Sequence, residues 1–107
     1  MTDQDRQMIF DKVASDEHRY IVLTHGTDTM IQTAKKLKTI HGKVIVLTGA
    51  MKPARFKSSD AAFNIGSAVA AAQTLTPGVY IAMNGRIFDP DKIRKNLDRN
   101  WFEDLEK

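Results

Sequence analysis

A chain of 107 residues has room for one domain with a real hydrophobic core and is short for two. Its 42% apolar and 27% charged residues are ordinary for a soluble globular protein, which excludes wholesale disorder, and its lack of cysteine excludes disulfides, thiolate metal sites and cysteine nucleophiles. The polar, acidic start Met1-Thr2-Asp3-Gln4-Asp5 does not read as a signal peptide, and no apolar run approaches the roughly 18 residues of a membrane helix, so a cytoplasmic chain with no membrane contact is expected.

In chain order, the first expected element is a helix over residues 3 to 15, with Met8, Ile9 and Val13 on its apolar side and Asp3 as a cap. A strand follows at Tyr20 to Thr24. Thr27 and Asp28 then read as N-cap residues of a helix in which Met30, Ala34 and Leu37 recur at helical spacing, ended by His41-Gly42. A second strand covers Lys43 to Thr48. Ser58-Ser59-Asp60 caps a helix whose apolar positions are Ala62, Ile65, Ala68, Val69 and Ala72, and a third strand covers Val79 to Met83. Asp89-Pro90 reads as the cap and first residue of a short helix through about Leu97. Ile21-Val22-Leu23 and Val44-Ile45-Val46-Leu47 are apolar without alternation, as in strands buried on both faces of a parallel sheet. The order αβαβαβα with right-handed crossovers gives an α/β sandwich, an open parallel sheet of the Rossmann or flavodoxin-like kind.

Such sheets bind ligands beyond the carboxyl ends of their strands. The loops expected there are Thr24-His25-Gly26-Thr27-Asp28-Thr29, Thr48-Gly49-Ala50-Met51-Lys52-Pro53 and Asn84-Gly85-Arg86, each with a glycine that lets backbone approach a ligand. Two alternatives accompany this reading. Taken alone, Thr27 and Asp28 are a helix cap. Lys35, Lys36, Lys38, Lys43, Lys52, Arg55 and Lys57, with no acidic residue between Asp28 and Asp60, are a solvated helix face plus a basic loop, or else a surface for nucleic acid. His25 lacks the partners of a triad, His18 and His41 are solvated, Arg86 pairs with Asp89 or receives a carboxylate, and Trp101-Phe102 is packing or an exposed apolar patch.

The loop sequences carry a resemblance. Thr-His-Gly-Thr-Asp-Thr-Met at 24 to 30, Leu-Thr-Gly-Ala-Met-Lys-Pro at 47 to 53, Ser-Ser-Asp-Ala-Ala-Phe-Asn at 58 to 64 and Gly-Val-Tyr-Ile-Ala-Met-Asn-Gly-Arg-Ile-Phe-Asp at 78 to 89 resemble, in order and spacing, the N-terminal domain of bacterial-type L-asparaginases and glutaminases. The chain also resembles a shorter, single-domain subset of asparaginase-like proteins. The resemblance implies an amidohydrolase that needs water and no cofactor or metal, acting on L-asparagine or a related amide. It implies a catalytic group of Thr27, Asp28 and a lysine, Lys95 or, in competition, Lys92. A threonine hydroxyl becomes a nucleophile when a neighbouring base takes its proton, and a desolvated lysine serves as that base. Asp28 would orient the lysine and bind a substrate α-ammonium, and backbone groups of Gly49 and Ala50 would meet the side-chain amide and its oxyanion.

The departures from the pattern are as specific. The family's opening strand and Thr-Gly-Gly-Thr-Ile loop, whose first threonine is the usual acylated nucleophile, have no counterpart here, nor does the Ser-Gln ahead of Met1-Thr2 that would bind the α-carboxylate. Ala61-Ala62 stands where Gly-Pro is common, and Lys95-Asn96 where Lys-Thr is usual. Residues 1–107 are therefore expected to be a partial domain of this type, lacking the first strand and exposing sheet, which favours a homo-oligomer or a marginal fold. The competing class is a non-catalytic remnant that binds an amino acid or works with a partner supplying the missing loop.

Overall fold

The computed structural model describes residues 1–51 and 59–105. Helix α1 (Asp3–Ser15) begins at a reciprocal cap: the Thr2 hydroxyl accepts from the Asp5 N–H at 3.1 Å, and the Asp5 carboxylate accepts from the Thr2 N–H at 3.0 Å. Two donors that a helix start leaves unpaired are satisfied this way. Thr2, not Asp3, is the cap; Asp3 lies in the first turn, where its charge suits the helix dipole. Strand β1 (Tyr20–Thr24), helix α2 (Met30–Leu37), strand β2 (Val44–Thr48), helix α3 (Ala61–Thr74) and strand β3 (Gly78–Met83) then follow in the expected order. Ser58, expected in the cap of α3, lies outside the described residues; Asp60 holds the N-cap position, and the Ser59 hydroxyl accepts from the Ala61 N–H at 3.2 Å.

Strands β1, β2 and β3 are parallel and adjacent in that order. Strand β2 is buried along its whole length, whereas β1 is an edge and only half-buried. Side chains alternate across the sheet. Ile45, Leu47, Val79, Ile81 and Met83 pack with Met30, Ala34 and Leu37 of α2 and Val13 of α1. Val44, Val46 and Ala82 pack with Ala68, Ala71 and Ala72 of α3 on the other face. Each buried Val, Leu or Ile contributes about 1.5–3 kcal/mol relative to exposure.

This packing corrects the expectation that both crossovers are right-handed. The steps β1 to β2 and β2 to β3 run in the same direction, yet α2 and α3 cover opposite faces. The two crossovers therefore have opposite hands, and one is of the rare left-handed kind. In consequence the chain leaves the carboxyl ends of β1 and β2 toward opposite faces, and a crevice opens between the two loops.

The second correction concerns everything after β3. Asn84 and Gly85 take φ values of 55° and 75°, a two-residue turn with both residues left-handed, and the chain returns as strand β4 (Arg86–Phe88), antiparallel to β3. The sheet is thus mixed, and Asn84-Gly85-Arg86 is a hairpin turn instead of a loop into a helix. Asp89 does cap and Pro90 does begin a turn, with the Asp89 carboxylate accepting from the Asp91 N–H at 2.9 Å, but the turn is a single 3-10 turn at Pro90–Lys92. The expected helix through Leu97 is replaced by strands β5 (Ile93–Asn96) and β6 (Trp101–Asp104), an antiparallel pair forming its own small sheet.

Alternation of side chains explains the outcome. Ile93 and Phe102 point inward, Phe102 lying 6.4 Å from Phe88 between ring centres, while Arg94 and Asn96 both bond the Glu103 carboxylate. Asn100, at φ 55°, closes the turn between the strands. Lys38 at the end of α2 ties the hairpin down, its ammonium donating to Asp89 at 2.8 Å and Asp91 at 2.7 Å. Arg86 accordingly pairs with Asp104, at 3.0 Å, and not with Asp89.

Candidate active site

The opposite hands of the two crossovers put the loops after β1 and β2 face to face, and the loop after β1 holds the first residues of interest. Thr27 and Asp28 do not cap α2. The N-cap position is Thr29, which makes no side-chain cap bond. Both side chains instead meet Lys95 of β5: its Nζ donates to Thr27 Oγ1 at 2.8 Å and to Asp28 Oδ1 at 2.6 Å. Lys95 lies two residues beyond Ile93 on the same face of its strand, so anchoring Ile93 in the core aims the lysine at the loop. Lys92 sits exposed on the preceding 3-10 turn and makes no such contact.

The electrostatics of the group are asymmetric. The Lys95 side chain is only 12% exposed while that of Asp28 is 84% exposed. The hydrogen bond and the charge of Lys95 hold the Asp28 carboxyl below the usual carboxylate range. Asp28 Oδ2 receives no hydrogen bond from the described residues, which leaves it open to a cation arriving from solvent.

Across the crevice lie Gly49 and Ala50. An open cleft of about 370 Å³ runs between Thr24, His25 and Gly26 on one side and Gly49 and Ala50 on the other, with Ala61 and Ile65 of α3 behind. A Cβ on Gly49 would stand 2.3 Å from the carbonyl oxygen of His25, backbone against backbone, so only glycine fits. The Thr48 hydroxyl donates to the Ala82 carbonyl at 2.7 Å and pins the strand end beneath this loop. The structure thus brings Thr27, Asp28 and Lys95 together, while Gly49 and Ala50 line a cleft with Thr24, His25 and Gly26 whose lining does not include those three.

His25 is a staple of this loop. Its Nδ1 donates to the Gly26 carbonyl at 2.7 Å, which leaves Nε2 to accept from the Thr33 hydroxyl of α2 at 2.8 Å. His18 is exposed beside Asp16 at 2.7 Å, and His41 is exposed. Phe102 is core whereas Trp101 is 41% exposed, so the pair divides between packing and surface. Of the basic residues, Lys38 is paired with two carboxylates and Lys43 donates to the Asp16 and His18 carbonyls; Lys52, Arg55 and Lys57 lie outside the described residues.

Asn64, the last residue of the Ser-Ser-Asp-Ala-Ala-Phe-Asn run, is given no role by the sequence, and the structure places it beneath the loop after β2. It is fully buried in α3 and its amide joins Gly49, Asp60 and Asn84. Besides that run, the signal in the sequence is a polar amide one turn after Asp60 on a helix without a charged residue. Among the described residues no group of three or more His, Asp or Glu side chains gathers as a metal site, and no helix is long and apolar enough to cross a membrane.

Comparison with known proteins gives this geometry a family. The family described as asparaginase, N-terminal, matches residues 1–101. The chain is 51% identical over 71 residues to a glutamyl-tRNA(Gln) amidotransferase subunit of Methanococcus vannielii, covering 64% of this chain and 17% of that protein. It is 41% identical over 83 residues to a glutaminase-asparaginase of Acinetobacter glutaminasificans, covering 73% and 25%. A crystal structure described as a probable cytoplasmic L-asparaginase of Campylobacter jejuni superposes with a TM-score of 0.87 at 31% identity, over 99% of this chain and 36% of that one. The chain therefore spans between 17% and 36% of the length of these relatives. It belongs to the asparaginase family and carries the N-terminal part of that family's amidohydrolase fold.

Proposed function

We propose that this chain provides the Thr27–Asp28–Lys95 half of an amidohydrolase centre that hydrolyses the side-chain amide of L-asparagine to L-aspartate and ammonia. The observation that carries the reading is the convergence of Lys95 Nζ on Thr27 Oγ1 and Asp28 Oδ1 from the far end of the chain. Nζ is the atom placed to take the Thr27 proton once the lysine has given up one of its own, which lets Thr27 Oγ1 draw a proton in turn from the attacking water. Asp28 orients the lysine and, through its open Oδ2, receives the α-ammonium of the substrate. Gly49 and Ala50 line the neighbouring cleft beside His25 and Gly26, where a side-chain amide would lie. Water is the second substrate and no cofactor is invoked.

Residues 1–107 act in this reading as one partial domain, with the α-carboxylate site and the acylated threonine supplied by further protein. A second copy of this chain lacks the same loop, so a homo-oligomer in the cytoplasm would complete the fold's exposed surfaces, such as the uncharged helix α3 with Phe63 and Val69 exposed, and not the chemistry. A partner-dependent variant of the reading is favoured by the likeness to a protein named as an amidotransferase subunit.

Ammonia release from L-asparagine and from L-glutamine by the purified chain tests the proposal. Release that is abolished by Thr27→Ala supports it, and the ratio of the two rates assigns the substrate. No release by the chain alone is the result expected if the acylated threonine comes from further protein, and release that Thr27→Ala leaves unchanged defeats the proposal.

A further inference from the structure

Helix α3 contains a glycine that the rest of this chain does not explain. Gly66 stands in the interior of its 14 residues, where glycine weakens a helix relative to alanine. A Cβ built there would meet nothing within 4 Å, and the residue has no positive φ, so neither packing nor backbone conformation within the chain asks for glycine. Gly66 is exposed, and Ala62, Phe63, Val69 and Ala70 are exposed around it. Phe63 touches the turn after β3 with one edge of its ring, yet 62% of the residue is left to solvent, as is 44% of Val69.

The helical period arranges these five residues about Gly66. At about 100° and 1.5 Å per residue, Ala70 and Phe63 lie to one side of it, the first about 6 Å above and the second about 4.5 Å below. Ala62 and Val69 lie to the other side, the first about 6 Å below and the second about 4.5 Å above. A second copy laid face to face and antiparallel, on a two-fold axis at Gly66, keeps each residue on its side and reverses its height. Phe63 then falls on Ala70 of the second copy and Val69 on its Ala62, each large side chain over a small one, with glycine against glycine at the crossing. The helix has no charged residue, so its two copies bring no like charges together. A stripe about 21 Å long falls well short of the roughly 800 Å² per partner of a stable complex, so this contact makes a weak dimer.

We propose that the outer face of α3 is a homodimer contact: two copies pack these helices antiparallel about Gly66, whose missing side chain lets the backbones approach, with Phe63 and Val69 seated on Ala70 and Ala62 of the other copy. The inference gives the homo-oligomer of the proposed function its surface and does not depend on the chain being hydrolytic.

Sedimentation equilibrium reads the association without an assay of activity, so its failure leaves the amidohydrolase reading as it stood. The apparent mass of the wild type should rise from 12.0 kDa toward twice that value between about 10 µM and 1 mM. Val69→Glu buries a carboxylate in the contact and should be a monomer throughout. Gly66→Ala separates two effects: the methyl enters open space in the single chain and should raise its thermal midpoint, yet it crowds the crossing and should weaken association about 10-fold. Since the chain has no cysteine, the geometry is read by cross-linking. Under mild oxidation an equal mixture of Ala62→Cys and Ala70→Cys should give a mixed disulfide dimer, whereas Ala62→Cys alone should not, its two copies standing about 12 Å apart. A wild type that stays monomeric at about 1 mM overturns the proposal, as does a dimer that Val69→Glu leaves intact. Should Val69→Glu fail to fold, Gly66→Ala decides, and association that it does not weaken overturns the proposal. Cross-linking of Ala62→Cys with itself as fast as with Ala70→Cys overturns the antiparallel arrangement.

Discussion

The two walls of the candidate site are built in different ways. The wall made by the loops after β1 and β2 rests on a strand buried on every side, with Ile45 and Leu47 packed on one face and Val44 and Val46 on the other. The wall that delivers Lys95 is a two-stranded hairpin outside the main sheet, held by Ile93 and Phe102 and by ion pairs at Lys38 and Arg86. An isolated two-stranded hairpin is marginal in water, so this wall depends on its tethers. The loop geometry is therefore part of the global fold, whereas the contact of Lys95 with Thr27 and Asp28 can be lost while the domain stays folded.

Substitutions in each wall put that contrast at risk. The largest effect is expected from Ile45→Ala, which opens a cavity at the centre of the sheet and should cost about 2–5 kcal/mol in urea unfolding, lowering the midpoint without changing the slope. Gly49→Ala should cost about 1–3 kcal/mol, because the new methyl meets the His25 backbone and the strand end must shift. Lys38→Met should cost no more than about 1 kcal/mol globally, as for a partly exposed ion pair. It should nevertheless speed amide exchange in β5 and β6 while leaving β2 protected. Equal acceleration in β2 would show that the hairpin is not a separate unit.

The smallest expected effect is a dependence on pH. Contact with Asp89 and Asp91 raises the Lys38 pKa above its ordinary 10.5, so that contribution is complete below 10.5 and is lost as pH rises through the raised value. The Asp89 and Asp28 carboxyls are held below their ordinary 3.8, so their contributions are complete above 3.8 and are lost as pH falls through the lowered values. The hairpin should thus stay docked across the neutral range and loosen at both extremes. Trp101, the one tryptophan of the chain, stands on β6 and reports this by its fluorescence. A signal that changes between about pH 5 and pH 9 would contradict the assignment.

What the sequence makes legible follows the same division. The continuous runs at Ile21 to Leu23 and Val44 to Leu47 announce buried parallel strands because hydrophobic burial on both faces leaves no alternation. The loops after them, with Thr27, Asp28, Gly49 and Ala50, follow from the strands. The hairpin is hidden because Ile93-Arg94-Lys95-Asn96 is short and polar, and Asp89-Pro90 is a true helix start that here lasts one turn. Asn84-Gly85 carries the strongest dipeptide signal for a tight hairpin, and reading it as a ligand loop conceals β4. The opposite hands of the crossovers leave no trace in the sequence, since the spacing of apolar residues along α2 and α3 says which side of each helix is buried and not which face of the sheet it covers.

The union of Thr27 and Lys95 is open to a double-variant cycle on ammonia release from L-asparagine, using Thr27→Ala, Lys95→Met and the two together. If Lys95 acts on Thr27 as one unit, each single variant should lose about 10²–10⁴-fold, and the double variant should lose little more than the worse of the two. Release that is unaffected by Lys95→Met, or losses that multiply in the double variant, would contradict it.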